Sequence, residues 1–128
     1  MIHTGFAELF MENDGDVPAE ALARYGALLD GADERLKQWV TDSGVIAIAA
    51  DSYAIENYPA PLSETNTSLL PFHEHCLFRL GVHLGELWRL SPLAKRLREL
   101  ERHRFLLTAP PLYLRGAVGS PVTPIATV

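Results

Sequence analysis

Val45-Ile46-Ala47-Ile48-Ala49-Ala50, closed by Asp51, is the longest uncharged, strongly apolar run in the chain. It is apolar at successive positions instead of alternating, which is the pattern of a strand covered on both faces. Just before it, Asp33 to Thr41 reads as a helix with Leu36, Trp39 and Val40 on one stripe. Ser43-Gly44 ends that helix, Gly44 suiting a left-handed C-cap. A helix followed directly by a buried strand is the habit of an α/β sheet, so one α/β domain with a mixed sheet and flanking helices is expected.

On the N-terminal side, Met1 to Phe6 has the apolar opening and glycine break of a strand end. A loop is expected after it, with Asn13-Asp14-Gly15-Asp16 as its turn signal. Ala19 to Leu29 carries helix formers, with Leu22, Tyr25 and Leu29 at helical spacing and Gly26 weakening the pattern. On the C-terminal side a polar loop covers about Asn57 to Ser68, and Pro71 opens a helix that runs to Leu80 and stops at Gly81. Val82 to Trp88 is a second strand. Ser91-Pro92 starts a helix to about Glu101 that turns Leu93, Leu97 and Leu100 inward and leaves its charges as a solvated face. Arg104 to Ala109 and Leu112 to Arg115 are strands interrupted by Pro110-Pro111. After a turn at Gly116 to Gly119, Pro121 to Val128 is an edge strand.

The 128 residues suffice for one core. Eleven Lys and Arg against 16 Asp and Glu give a formal charge of −5, which argues against a nucleic-acid partner. No run is long enough to cross a bilayer, so no membrane partner is expected. The one cysteine, Cys76, cannot form an internal disulfide, and a reducing cytoplasm is the expected compartment. Cys76 itself reads as a buried structural thiol.

Three of the five histidines fall in Pro71-Phe72-His73-Glu74-His75 and Gly81-Val82-His83-Leu84-Gly85-Glu86. Imidazole beside carboxylate suits zinc or manganese. His73 and His75 stand about 200° apart on a regular helix, so at most one of them converges with Glu86. His83 and Glu86 likewise point apart along a strand. Two ligands fall short of the three that a catalytic zinc takes from its protein. Asp51 and Glu56 flank a strand end, where α/β sites gather, and read equally as the polar boundary of a loop. Gly116-Ala117-Val118-Gly119-Ser120 lacks the spacing and the lysine of a phosphate loop and reads as a plain turn.

Five segments occur in order along the chain: Ile2-His3-Thr4-Gly5-Phe6, Ala49-Ala50-Asp51-Ser52-Tyr53-Ala54-Ile55-Glu56, Gly81-Val82-His83-Leu84-Gly85-Glu86-Leu87-Trp88, Phe105-Leu106-Leu107-Thr108-Ala109-Pro110-Pro111-Leu112 and Gly116-Ala117-Val118-Gly119-Ser120-Pro121-Val122-Thr123-Pro124. Together they resemble the C-terminal half of the cyclase family, which includes bacterial kynurenine formamidase and isatin hydrolase. The resemblance implies a metal-dependent hydrolase of linear or cyclic amides, of the arylformamidase type that opens N-formylkynurenine in tryptophan catabolism. It implies a divalent ion, zinc or manganese, held in part by Glu86 and by His73, with His75 as the alternative to His73. The family's upstream His-x-Gly-Thr-His-x-Asp motif, and the histidine that moves protons beside it, have no counterpart here. The chain is therefore expected to be a partial domain, inactive alone, with catalytic residues outside it. A homo-oligomer or a complementing N-terminal half is the expected partner, besides a small amide substrate.

Overall fold

The computed structural model describes residues 1–21 and 26–128. The chain is mixed α/β, with helices and short strands in two small sheets, and it divides into two compact units, Met1–Leu90 and Ser91–Val128, where the sequence suggests one domain.

The first unit contains helix α1 (Phe6–Glu12), helix α2 (Glu34–Ser43), strand β1 (Ala47–Ala49), helix α3 (Pro71–His73), a π-helix continuing it (Glu74–Leu80), and strand β2 (His83–Gly85). Strands β1 and β2 pair in parallel, with Ala47 opposite His83 and Ala49 opposite Gly85. Parallel pairing needs a crossover, and the chain from Asp51 through α3 to Gly81 supplies it. On the other side of β1, Ile2 bridges Ala50, its N–H donating to Ala49 O at 2.8 Å. The strand read from the apolar run is thus central but short. Its second half, Ile48 to Ala50, is buried, whereas Ile46 is 80% exposed, so the expectation of cover along the whole run holds only at its end.

The core gathers Val40, Ile48, Ala50, Ile55, Phe72, Cys76 and Val82, with Leu36, Val45 and Leu84 packed against it. Burial of these side chains is what fixes α2 and α3 on the sheet, each fully buried Val, Ile or Phe contributing about 1.5–3 kcal/mol. Helix α2 stops at Gly44 as the sequence suggests, and Asp33, read as its first residue, is its N-cap. The Asp33 side chain accepts from Arg35 N–H at 2.8 Å, and Gly44 closes the other end with φ 67°. Trp39, expected on the core stripe, is 58% exposed, because Val40 and Leu36 already fill that face. Along the helix from Pro71, Phe72 and Cys76 enter the core while Leu77 and Leu80 are exposed. Gly81 stops the helix with φ 69°.

Two local readings are corrected. Residues Phe6 to Glu12, expected as loop, form α1. The helix expected over Ala19 to Leu29 falls in part on residues 22–25, outside the described residues, and its last member Leu29 is extended instead, bridging Glu56 in parallel. Leu29 N–H donates to Ile55 O at 3.0 Å and Asn57 N–H to Leu29 O at 2.8 Å, which removes Leu29 from any helical ladder.

The second unit holds helix α4 (Ser91–Glu99), strand β3 (Leu106–Thr108) and strand β4 (Ile125–Thr127), the strands antiparallel with Leu107 opposite Ala126. Leu93, Leu97 and Leu100 are half-buried on the side the sequence assigns them, but α4 has no fully buried residue. The strand expected over Leu112 to Arg115 does not form. Pro110 and Pro111 lack ladder donors, and the Leu112 N–H is taken by Ser120 Oγ at 2.8 Å.

Candidate metal and proton-handling site

Parallel strands in α/β folds carry their sites at the carboxyl ends. Here Asp51 follows the end of β1 and Glu86 the end of β2. The segment beyond β2 is turned at once: Leu87 takes φ 55°, its N–H donates to Ser52 O at 3.2 Å, and Trp88 N–H donates to Ala50 O at 3.1 Å. This turn shortens the strand expected to reach Trp88 and brings Glu86 back over the strand ends. Gly85 makes it feasible, since a Cβ there would stand 2.8 Å from the Trp88 indole.

His73 lies between two carboxylates. Its Nδ1 is 2.7 Å from Glu56 Oε1 and its Nε2 is 2.8 Å from Glu86 Oε1. The Glu56 side chain is wholly buried, that of His73 is 19% exposed and that of Glu86 31% exposed. Glu56 also accepts backbone donors from the opening turn of α3, Phe72 N–H at 2.9 Å on Oε2 and His73 N–H at 2.8 Å on Oε1. Those donors belong to the first turn of a helix and have no partner within it. One buried carboxylate thereby ties the helix start and the imidazole together. Its neighbour Gly31 leaves the room: a Cβ there would overlap the Glu56 carboxylate.

The hydrogen bond that the His73 ring donates to Glu56 raises its pKa above the usual histidine range. Burial opposes this, and the bond and charge of Glu86 add to it. The other histidine of the pair is elsewhere. His75 Nε2 is 3.0 Å from Lys37 O and 3.0 Å from Thr41 Oγ1, both on α2. Of the alternatives left open in the sequence, His73 is the one beside Glu86, and the half-turn between the two imidazoles places His75 against the neighbouring helix.

Asp51 is fully buried and anchors the N-terminal segment. Its Oδ1 accepts from Thr4 N–H (2.7 Å) and Thr4 Oγ1 (2.9 Å), and its Oδ2 from Gly5 N–H (2.6 Å). His3 Nε2 stands 3.9 Å from it. This is a structural carboxylate with its lone pairs in use. Cys76 is buried and its thiol is pushed up to about 11 by burial and by the charge of Glu56, so it is inert, as its apolar setting suggests. His83 is exposed on β2.

The pairing of Glu56 with His73 was not readable from spacing, because they lie 17 positions apart across a largely irregular segment. Ala54 and Ile55 take positive φ (62° and 56°) just before Glu56, a conformation that neither residue type advertises.

His73 and Glu86 suit a share of a divalent-ion site. An imidazole nitrogen and a carboxylate oxygen are donor types that zinc and manganese both take, and Nε2 and Oε1 are separated by 2.8 Å. Among the described residues no group of three or more His, Cys, Asp or Glu is arranged to hold an ion. The fit is therefore that of a pair, with Glu56 behind it. Among the described residues no helix is long and apolar enough to cross a membrane. Comparison with known proteins adds no identity: no family model, no curated protein and no solved structure matches this chain.

Proposed function

We propose that the chain is the C-terminal portion of a cyclase-family hydrolase, with His73 and Glu86 as two ligands of a zinc or manganese ion that serves amide hydrolysis. The observation that carries this reading is the approach of His73 Nε2 to Glu86 Oε1 at 2.8 Å, over the carboxyl ends of parallel strands. The five ordered segments that resemble the family support it independently, and they favour an arylformamidase-type substrate such as N-formylkynurenine. The remaining ligands and the proton-transferring histidine come from outside these 128 residues, in a longer reading frame or a second chain. Its lone buried thiol suits a cytoplasmic setting.

A divalent ion in such a site supplies Lewis acidity toward the amide carbonyl and an activated water. The residues of this chain have simpler tasks. His73 offers one ring nitrogen toward the pair, Glu86 contributes charge to balance the cation, and the 31% exposure of Glu86 leaves that edge open to solvent and substrate. A second reading, a non-catalytic subunit that covers a partner, is favoured by the large apolar side chains exposed in residues 91–128, Leu106, Tyr113 and Ile125 among them. A homo-oligomer accommodates both readings.

The test is titration of the 128-residue chain with Zn²⁺ and Mn²⁺, followed by formate release from N-formylkynurenine in the presence of a family N-terminal half. Binding is expected to disappear in His73→Ala and Glu86→Gln and to persist in His75→Ala. Binding or turnover that survives the double replacement of His73 and Glu86 overturns the assignment.

A further inference from the structure

We propose that Glu56 is a positioning residue: it fixes the neutral His73 ring as the Nδ1–H tautomer, so that Nε2 presents its lone pair beside Glu86. The inference rests on the reading of His73 and Glu86 as a metal-holding pair and adds the group that makes the histidine a competent donor.

Two carboxylates compete for one imidazole proton when the ring is neutral. Glu56 Oε1 is 2.7 Å from Nδ1 and Glu86 Oε1 is 2.8 Å from Nε2, so distance alone does not choose between them. Surroundings do. Glu56 has no exposure, and its carboxylate is pinned by Phe72 N–H and His73 N–H; no water compensates it if the ring turns its proton away. Its two backbone donors remain in that case, but a buried charged acceptor that loses a hydrogen bond still gives up about 1.5–3 kcal/mol. Glu86 is 31% exposed and exchanges a ring N–H for water at little cost. The proton therefore stays on Nδ1.

The backbone was shaped around this contact. Leu29 and Glu56 form a parallel bridge, Ala54 and Ile55 turn the chain with left-handed φ, and Gly31 leaves free the space that the Glu56 carboxylate occupies. Strained positions persist where the surrounding structure over-determines them, and they collect at functional sites. Carboxylate behind histidine is also the arrangement that fixes ring orientation and raises donor strength in metal sites, where its removal weakens affinity about 10- to 100-fold.

The experiment is ¹⁵N NMR of the histidine rings in the metal-free, full 128-residue chain, at a pH where the His73 ring is neutral. The wild type is expected to carry its proton on Nδ1. Glu56→Gln keeps the size but removes the charge and sets an amide group against Phe72 N–H, so the proton is expected to move to Nε2 and toward Glu86. Zn²⁺ titration of the same samples is expected to show affinity lower by about 10- to 100-fold in the variant. A wild-type ring protonated on Nε2 overturns the proposal, and this measurement needs no variant to fold. An unchanged tautomer in Glu56→Gln overturns it as well. Gly31→Ala, which crowds the carboxylate and leaves every charge in place, is expected to shift the tautomer in the same direction. If the tautomer behaves as expected but neither Zn²⁺ nor Mn²⁺ binds, the hydrolase reading fails while the role of Glu56 on the ring stands.

Discussion

His73 is the residue on which protonation, packing and chemistry meet, and its acidity makes a prediction with a definite sign. Its pKa in the folded chain is raised, chiefly by the hydrogen bond to Glu56. The folded chain thus holds the imidazolium proton more tightly than the unfolded chain, whose histidine titrates near the ordinary value of about 6.5. The resulting stabilisation is complete below that ordinary value and is lost as pH rises through the higher folded one. In the presence of a chelator, the gap in melting temperature between wild type and His73→Asn is expected to be widest near about pH 6 and to close as the solution becomes alkaline. Thermal melts across that range read the gap directly, and a gap that widens with pH contradicts the ion-pair geometry. Asp51 makes a complementary prediction. Its carboxylate accepts from Thr4 and Gly5 backbone donors at 2.7 and 2.6 Å in a fully buried position, so Asp51→Ala is expected to cost about 2–4 kcal/mol by denaturant titration. His73 was legible in the sequence as a helix-start histidine, but choosing it over His75 needed the contacts of both rings. Asp51 and Glu56 were visible as strand-end carboxylates, and nothing in their spacing separated the structural one from the one that grips the imidazole.

Elements whose ends are set by local chemistry were the readable ones. Pro71 at the start of α3, Gly81 at the end of the π-helix, and Asp33 and Gly44 around α2 all act within a few residues of themselves. Helix α1 carries no local start signal, because its Gly5 cap has φ 93° without a side-chain acceptor, although Ala7, Glu8, Leu9 and Met11 are good helix formers. The strands came out shorter than their apolar runs since pairing, a non-local property, sets their length: β2 stops where Leu87 turns left-handed. Gly44 offers a clean test of the local reasoning. A Cβ on it would meet nothing within 4 Å, so Gly44→Ala probes only the left-handed backbone. The expected loss is about 1 kcal/mol, with Gly44→Asn recovering part of it because Asn tolerates that region. Equal stability of Gly44→Ala and wild type in urea would show that the cap is not held in this conformation.

At the scale of the whole molecule, the two units differ in what sustains them. Every fully buried apolar side chain identified among the described residues lies in Met1–Leu90, as do Glu56, His73 and Glu86. In Ser91–Val128 the strand pair exposes Leu106 and Leu107 on opposite faces, and α4 buries nothing completely. A two-stranded hairpin with one short helix is marginal in water, and chains below about 40 residues seldom fold without a metal, disulfide or partner. Residues 91–128 expressed alone are therefore expected to give the amide NMR dispersion of an unfolded peptide. Residues 1–90, which keep the core of Val40, Ile55, Phe72 and Cys76, are expected to unfold cooperatively and to bind Zn²⁺ with the affinity of the whole chain. The division was illegible in the sequence because it depends on how completely each apolar stripe is covered, and stripe spacing is the same whether or not a cover exists. A cooperative melt from the isolated 91–128 segment would show that its exposed leucines are not its weakness. Zinc binding lost on removing that segment would show that the metal-holding pair draws on more than the residues around it.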